Sequence, residues 1–320
     1  MIPIGSIKME GVIGNHRTLI EKILKDAKTA LDIVKRDFGS SFIQEEKNYL
    51  DKVIACFEEK GFLTYDQEQI SKKAKDLGKV PDNDKAKISL SSHILRALNY
   101  KHLRRTFYPK FFRELGLRAC VYCNSQPTLS IQKFSPNESS VTIQGKFQLD
   151  HYRNKDEYPF LSICFYNLYP VCSCCNNAKS KSSVDFDLYG DQPAKPYTFK
   201  LSPGSLAKYL ATGNAETIKI LFLDPDKDNL QDPNLKSFQE VFNIQGIYET
   251  QTDLVEELIL KSQIYTGSYK KALTTSFKKL LSNEKLANRM LIGNYMDLED
   301  IHKRPMAKFI QDIAIQLKMI

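Results

Sequence analysis

No stretch of this 320-residue chain is apolar over the roughly 20 residues needed to cross a bilayer. The N-terminus, Met1-Ile2-Pro3-Ile4-Gly5, lacks the basic segment and apolar core of an export signal. These two absences lead to the expectation of a cytoplasmic protein with no membrane partner. No internal repeat and no low-complexity tract interrupts the chain. An even set of cysteines is also missing. There are seven, at 56, 120, 123, 164, 172, 174 and 175, and an odd count argues against a secreted disulfide framework. One apparent motif is incomplete. Asp224, Asp226 and Asp228 start like an EF-hand loop, but the sixth position is Asn229 rather than Gly and the twelfth is Leu235 rather than Glu. Without the turn glycine and the bidentate carboxylate, this is a polar loop.

The remaining composition is that of a globular protein, with 42% hydrophobic and 26% charged residues. The formal charge of +8 suits a polyanionic partner without requiring one. The chain is expected to be α+β: mostly helical, around a central zinc-stapled finger. Residues 1–118 form a helical N-terminal region, 119–190 the finger, and 191–320 a mainly helical region with a short β-hairpin.

In the first region Thr18 and Glu21 fit a capping box, and helical spacing runs from Ile20 to a stop at Gly39. A second pattern carries Tyr49 to Phe57. A third starts near Asp66 and ends near Gly78. After a break at Pro81-Asp82-Asn83-Asp84, a fourth carries Ile88 to Leu98. Residues 101–118 interleave Arg104, Arg105, Lys110 and Arg113 with Phe107, Tyr108, Phe111 and Phe112. That reads equally as a helix with a solvated basic face and as a phosphate-contacting surface. Period-2 alternation then predicts a hairpin over 129–151, turning at Ser135-Pro136-Asn137-Glu138, whose second strand ends in Asp150-His151. Residues 152–171 read as loop, and a short helix starts near Cys175. Thr217 to Phe222 and Phe242 to Tyr248 read as short strands. Leu254 to Leu281, Glu284 to Tyr295 and Pro305 to Leu317 read as helices, with Pro305 in a first turn.

Two C-x2-C pairs enclose the candidate site. Cys120, Cys123, Cys172 and Cys175 supply the four thiolates that structural Zn²⁺ takes in tetrahedral geometry. Cys56, Cys164 and Cys174 are expected to be packed or spare. Bringing the pairs together also brings Asp150 near Asn176. Oxygen donors of this kind suit Mg²⁺, and a neutral His151 beside them can deprotonate a water.

Residues 118–181 resemble the zinc-bound branch of the HNH (ββα-metal, or His-Me finger) endonucleases. The resemblance rests on the first C-x2-C, a strand ending in Asp150-His151, Tyr158-Pro159, Asn167-Leu168-Tyr169-Pro170-Val171-Cys172 and Cys175-Asn176-Asn177-Ala178-Lys179-Ser180. It covers about a fifth of the chain. It implies a nuclease cutting DNA, with double-stranded DNA as the expected partner. His151 would be the general base, and Asp150 and Asn176 would hold Mg²⁺ or Mn²⁺. Asn167 would brace the loop carrying the histidine, and Lys179 would contact phosphate. Asn stands where the family ends in His, and Asn177 competes with Asn176 for the ligand position. The layout also resembles HNH effectors of bacterial anti-phage defence, paired with an ATPase or sensor protein. The rival expectations are a non-catalytic zinc-dependent nucleic-acid-binding module and an interaction protein stapled by zinc.

Overall fold

The computed structural model describes residues 2–83, 87–134, 142–180, 182, 184, 186–190, 196–225, 236–279 and 281–319. The N-terminal third is helical. α1 (Ser6–Asn15) and α2 (Arg17–Phe38) meet at His16. The sequence offers no strong signal for α1, yet Met9 and Val12 on it are buried. Thr18 does not cap α2. Ile20 N already donates to His16 O, so the helical phase is set at the junction with α1, ahead of Thr18. α3 (Gln44–Glu58) packs along α2. α4 (Gln67–Leu77) starts where expected: Asp66 accepts from Gln69 N, and Gln69 Oε1 accepts from Asp66 N. It ends at Gly78, whose positive φ suits a residue without Cβ. α5 (Leu90–Ala97), α6 (Tyr100–Thr106) and α7 (Tyr108–Glu114) follow, and Phe107, Tyr108, Phe111 and Phe112 all turn into the core.

β1 (Leu129–Lys133) and β2 (Thr142–Lys146) form the expected antiparallel hairpin, with Leu129 opposite Lys146. Its turn, Ser135 to Glu138, and Val141 lie outside the described residues, as do Asp84 and residues 226–235 of the polar loop. The second strand does not run on to His151. After Phe147 the chain changes partner. β3 (Gln148–His151) pairs antiparallel with β4 (Leu168–Val171), placing Asp150 opposite Tyr169 and His151 opposite Leu168. β4 replaces part of the expected loop. It is buried at every position, so it shows no polar–apolar alternation and gives no period-2 signal. α8 (Ser173–Lys179) follows at once, with Cys172 as its N-cap.

β5 (Thr198–Leu201) and β6 (Ile220–Leu223) pair antiparallel across α9 (Ser205–Thr212), so the expected C-terminal hairpin is a helix-bridged pair. Phe242 to Tyr248 is not a strand. It belongs to α10 (Phe238–Phe242) and α11 (Ile244–Glu249), where the i,i+4 pairs Phe238/Phe242 and Ile244/Tyr248 are buried. α12 (Thr252–Ile264) and α13 (Gly267–Ser276) split one expected helical stretch, because Thr266 caps α13 by accepting from Tyr269 N. α14 (Glu284–Ile292) and α15 (Ala307–Gln316) close the chain, with Pro305 ahead of the α15 cap instead of in its first turn.

A single apolar cluster contains Met9, Val53, Phe111, Tyr169, Phe199 and Phe309, so the three sequence regions share one core. Among the described residues no helix is long and apolar enough to cross a membrane.

Candidate functional site

The four paired cysteines come together. The Sγ atoms of Cys120, Cys123, Cys172 and Cys175 all lie within 4.8 Å of one another, and every one of these residues is buried. Tetrahedral Zn–S bonds of about 2.3 Å put sulfurs about 3.8 Å apart; Cys123 Sγ and Cys172 Sγ are 4.0 Å apart. Backbone amides point at the sulfurs: Cys172 N at Cys120 Sγ (3.3 Å), Ser125 N at Cys123 Sγ (3.4 Å) and Cys175 N at Cys172 Sγ (3.4 Å). Such donors favour thiolate over thiol. The donor set fits a soft tetrahedral metal such as zinc. Cys174 is exposed, and Cys164 and Cys56 are buried outside the cluster, with burial raising both thiols, Cys56 to about 11.

The first cysteine pair is fastened to the C-terminal helices. Asn124, in the left-handed conformation that asparagine tolerates, is buried just after Cys123. Its side chain donates to Ile301 O and accepts from Lys308 N, while Tyr248 Oη donates to Cys123 O. His302 O accepts from both Arg118 N and Ala119 N.

Asp150 and His151 end β3 and line a polar cavity of about 540 Å³ with Asn176, Asn177 and Lys179 of α8. Both residues are largely buried, at 7% and 5% exposure. His151 Nε2 lies 3.1 Å from Ser162 O. A carbonyl can only accept, so Nε2 carries the proton and Nδ1 is left with the lone pair. Burial pushes the ring's pKa down to about 3, assisted by the nearby cations Lys155, Lys179 and Arg104. The ring is therefore neutral near pH 7. Tyr100 packs beside it, ring centroids 5.0 Å apart.

The Asp150 carboxylate is fully engaged. Tyr122 Oη donates to Oδ2 at 2.6 Å, and Lys179 Nζ lies 3.0 Å from Oδ2 and 3.2 Å from Oδ1. Lys179 also donates to His151 O. Lys179, the expected phosphate contact, lines the cavity but is 3% exposed and forms a buried ion pair with Asp150. Asn176 Nδ2 donates to Gln148 Oε1 at 2.6 Å, which leaves its carbonyl oxygen as the ligand-type atom. Asn177 is more exposed.

Asn167 is fully buried and makes three bonds. Oδ1 accepts from Arg153 N (2.7 Å), and Nδ2 donates to Arg153 O (3.2 Å) and Leu161 O (2.9 Å). It thus ties down the chain immediately after His151.

Arg104, Arg105 and Lys110 are exposed and line a second groove together with residues of β2. Arg113 is exposed but does not line that groove. The sequence pattern does not single out Tyr122. Its position inside a cysteine pair gave no hint, although a buried tyrosine hydroxyl has to find a partner. Nor does the pattern single out Gln148, whose side-chain oxygen meets Asn176, or Ser162, whose backbone acceptor leaves no mark on residue type. Comparison of the chain with family models, with curated proteins and with solved structures finds no match to any of the three.

Proposed function

We propose that the chain is a metal-dependent endonuclease of the HNH type, hydrolysing phosphodiester bonds in nucleic acid, with double-stranded DNA as the expected substrate. One observation carries this reading: Asp150, a neutral His151 and Asn176 meet at one polar cavity. The order β3–β4–α8 and the bracing by Asn167 support it, because they are what the resemblance implies around such a histidine.

In this reading the cavity admits the scissile phosphate and a water. His151 Nδ1 accepts a proton from that water as its oxygen attacks phosphorus. The bond to the 3′-oxygen breaks, and the leaving oxygen takes a proton from solvent, giving 5′-phosphate and 3′-hydroxyl ends. The Nε2–H···O bond to Ser162 keeps the ring in the tautomer able to accept. The low pKa keeps it unprotonated, while its bond to a carbonyl favours the cation once formed. Asp150 and the Asn176 carbonyl are hard oxygen donors and would hold Mg²⁺ or Mn²⁺, which when bound supplies positive charge against the phosphate oxygens. Lys179 now holds that charge beside Asp150, so the ion would share or take its place. Zinc at the four cysteines would hold the frame and take no part in the chemistry. Service as a defence effector beside an ATPase or sensor rests on the resemblance alone, and neighbouring genes would test it.

Plasmid cleavage with Mg²⁺ is the direct test. His151→Ala should lower the rate by about 10²–10⁴-fold, and an unchanged rate would sink the mechanism. A second reading, a zinc-stapled interaction or binding module without catalysis, draws on the burial of Asp150 and its saturation by Tyr122 and Lys179. Salt-sensitive nucleic-acid binding without cleavage under any metal would favour it.

A further inference from the structure

The basic groups on α6 and α7 have a second wall opposite them. A groove of about 970 Å³ is lined by Lys101, Arg104, Arg105 and Lys110 on one side and by Lys133, Thr142 and Gln144 of the hairpin on the other. No carboxylate is among the described residues that line it, and all five cations are exposed. Elsewhere on the surface several lysines pair with acids, as in Lys28–Asp32, Lys35–Asp51, Lys79–Glu157 and Lys285–Asp297. Lys101, Arg104 and Arg105 stand at i, i+3 and i+4, which puts three cations on one face of α6.

Both walls lead to the Asp150–His151 cavity. α6 begins at Tyr100, whose ring packs on His151, so the basic face starts within a turn of the candidate base. On the other wall, β2 is separated from β3 by Phe147 alone, and β3 ends in Asp150 and His151. Phe147 lines the groove and is held edge-on against Phe112 at 5.8 Å. Its ring is therefore engaged with the core, and the groove offers charge and small polar groups in place of a stacking platform. That favours contact with a sugar–phosphate backbone over readout of unstacked bases.

We infer that the groove between α6–α7 and the β1–β2 hairpin seats the phosphate backbone of duplex nucleic acid and leads it to the His151 cavity. The inference rests on the nuclease reading for its direction, but the binding itself does not depend on cleavage.

The test uses the full chain carrying His151→Ala, so that binding to a DNA duplex is measured without turnover. Arg104→Gln, Arg105→Gln and Lys133→Gln are added together. A charge-matched control carries Lys208→Gln, Lys278→Gln and Lys279→Gln, all on exposed residues away from the groove lining. Loss of three phosphate contacts should weaken binding about 10–100-fold at moderate salt and flatten the log Kd–log salt slope by roughly 2.7. The control should change the slope by well under one. Equal slopes for the two triple variants, with unaltered melting, would overturn the groove. A single strand bound more tightly than the duplex would overturn the choice of partner. If the groove dependence holds while the otherwise wild-type protein cleaves nothing under any metal, the catalytic reading fails and the groove stands. If the protein cleaves and the groove variants bind as the control does, the reverse follows.

Discussion

Two regions meet across α8, and they treat buried polar groups in opposite ways. On one side the cysteine cluster is closed. Its four sulfurs face one another, and the loop that follows Cys123 is bolted to α15 through Asn124. His302, next to this side, is buried with Nε2 on Ile2 O, and its Nδ1 has no hydrogen-bond partner among the described residues. On the other side Asp150 and His151 are just as buried but line a cavity. The two histidines make the contrast sharp. Each ring nitrogen Nε2 meets a backbone carbonyl, and burial pushes each pKa down to about 3. The pKa alone therefore does not mark a catalytic base. What separates them is the cavity and the neighbours: His302 is sealed, while His151 shares its opening with Asp150 and Asn176.

The largest expected effect tests the closed side. Structural zinc contributes about 10–16 kcal/mol in isolated zinc-finger peptides, against a net stability of about 5–15 kcal/mol for a typical protein. Cys172→Ser should therefore abolish both bound zinc and cooperative unfolding, read by elemental analysis and calorimetry. A variant that melts like the wild type would show that the cluster is packed thiols without a structural metal. Next in size is Lys179→Met, which leaves Asp150 buried and unpaired. Breaking a buried pair from one side costs about 3–5 kcal/mol, so melting should fall by roughly 5–10 °C. Millimolar Mg²⁺ should raise the variant's melting temperature more than the wild type's, because a cation that binds the folded state stabilises it. No difference in the response to Mg²⁺ would mean that Asp150 is not a cation seat and would make the two sides alike.

How much of this was legible in the sequence differs between the same two sides. The cysteine cluster was legible because C-x2-C pairs carry their chemistry in their spacing, and the structure brings the four sulfurs together as expected. Asp66 and Gly78 were legible for the same reason: helix starts and stops are local. β4 was not, since a strand buried on both faces loses its alternation. The change of partner at Phe147 was not, because pairing β3 with β4 is a long-range choice that neither strand's pattern encodes. The ion pair of Lys179 with Asp150 was not, since residue type says nothing about burial. α10 and α11 were not legible either, because the short apolar segment from Phe242 to Tyr248 cannot be told from a strand by period.

Acid should act on the closed side through His302. Its folded pKa is about 3, below the ordinary value of 6.5, so the unfolded chain binds the proton first. The stability held by the neutral ring is complete above pH 6.5 and is lost as pH falls from 6.5 toward 3, at up to about 1.4 kcal/mol per pH unit. His302→Asn removes this titration and leaves that of His151 in place. Between pH 6.5 and 4.5 the wild type should therefore lose up to about 2 kcal/mol more than the variant. Parallel stability curves would show that His302 is not sealed in solution.

The smallest effect tests the bridge between the sides. Tyr122 sits inside the first cysteine pair, yet its hydroxyl serves Asp150 on the open side. Tyr122→Phe keeps the ring that packs against Phe242 and removes only the donor. The lost bond to a charged acceptor is worth about 1.5 kcal/mol. Zinc content should stay at the wild-type level, since the hydroxyl takes no part in the sulfur cluster. In the nuclease reading kcat should fall with KM nearly unchanged, because Asp150 loses a restraint while the binding surfaces are untouched. Zinc lost together with activity would place Tyr122 on the closed side, and the carboxylate would then depend on the cluster only through the packing they share.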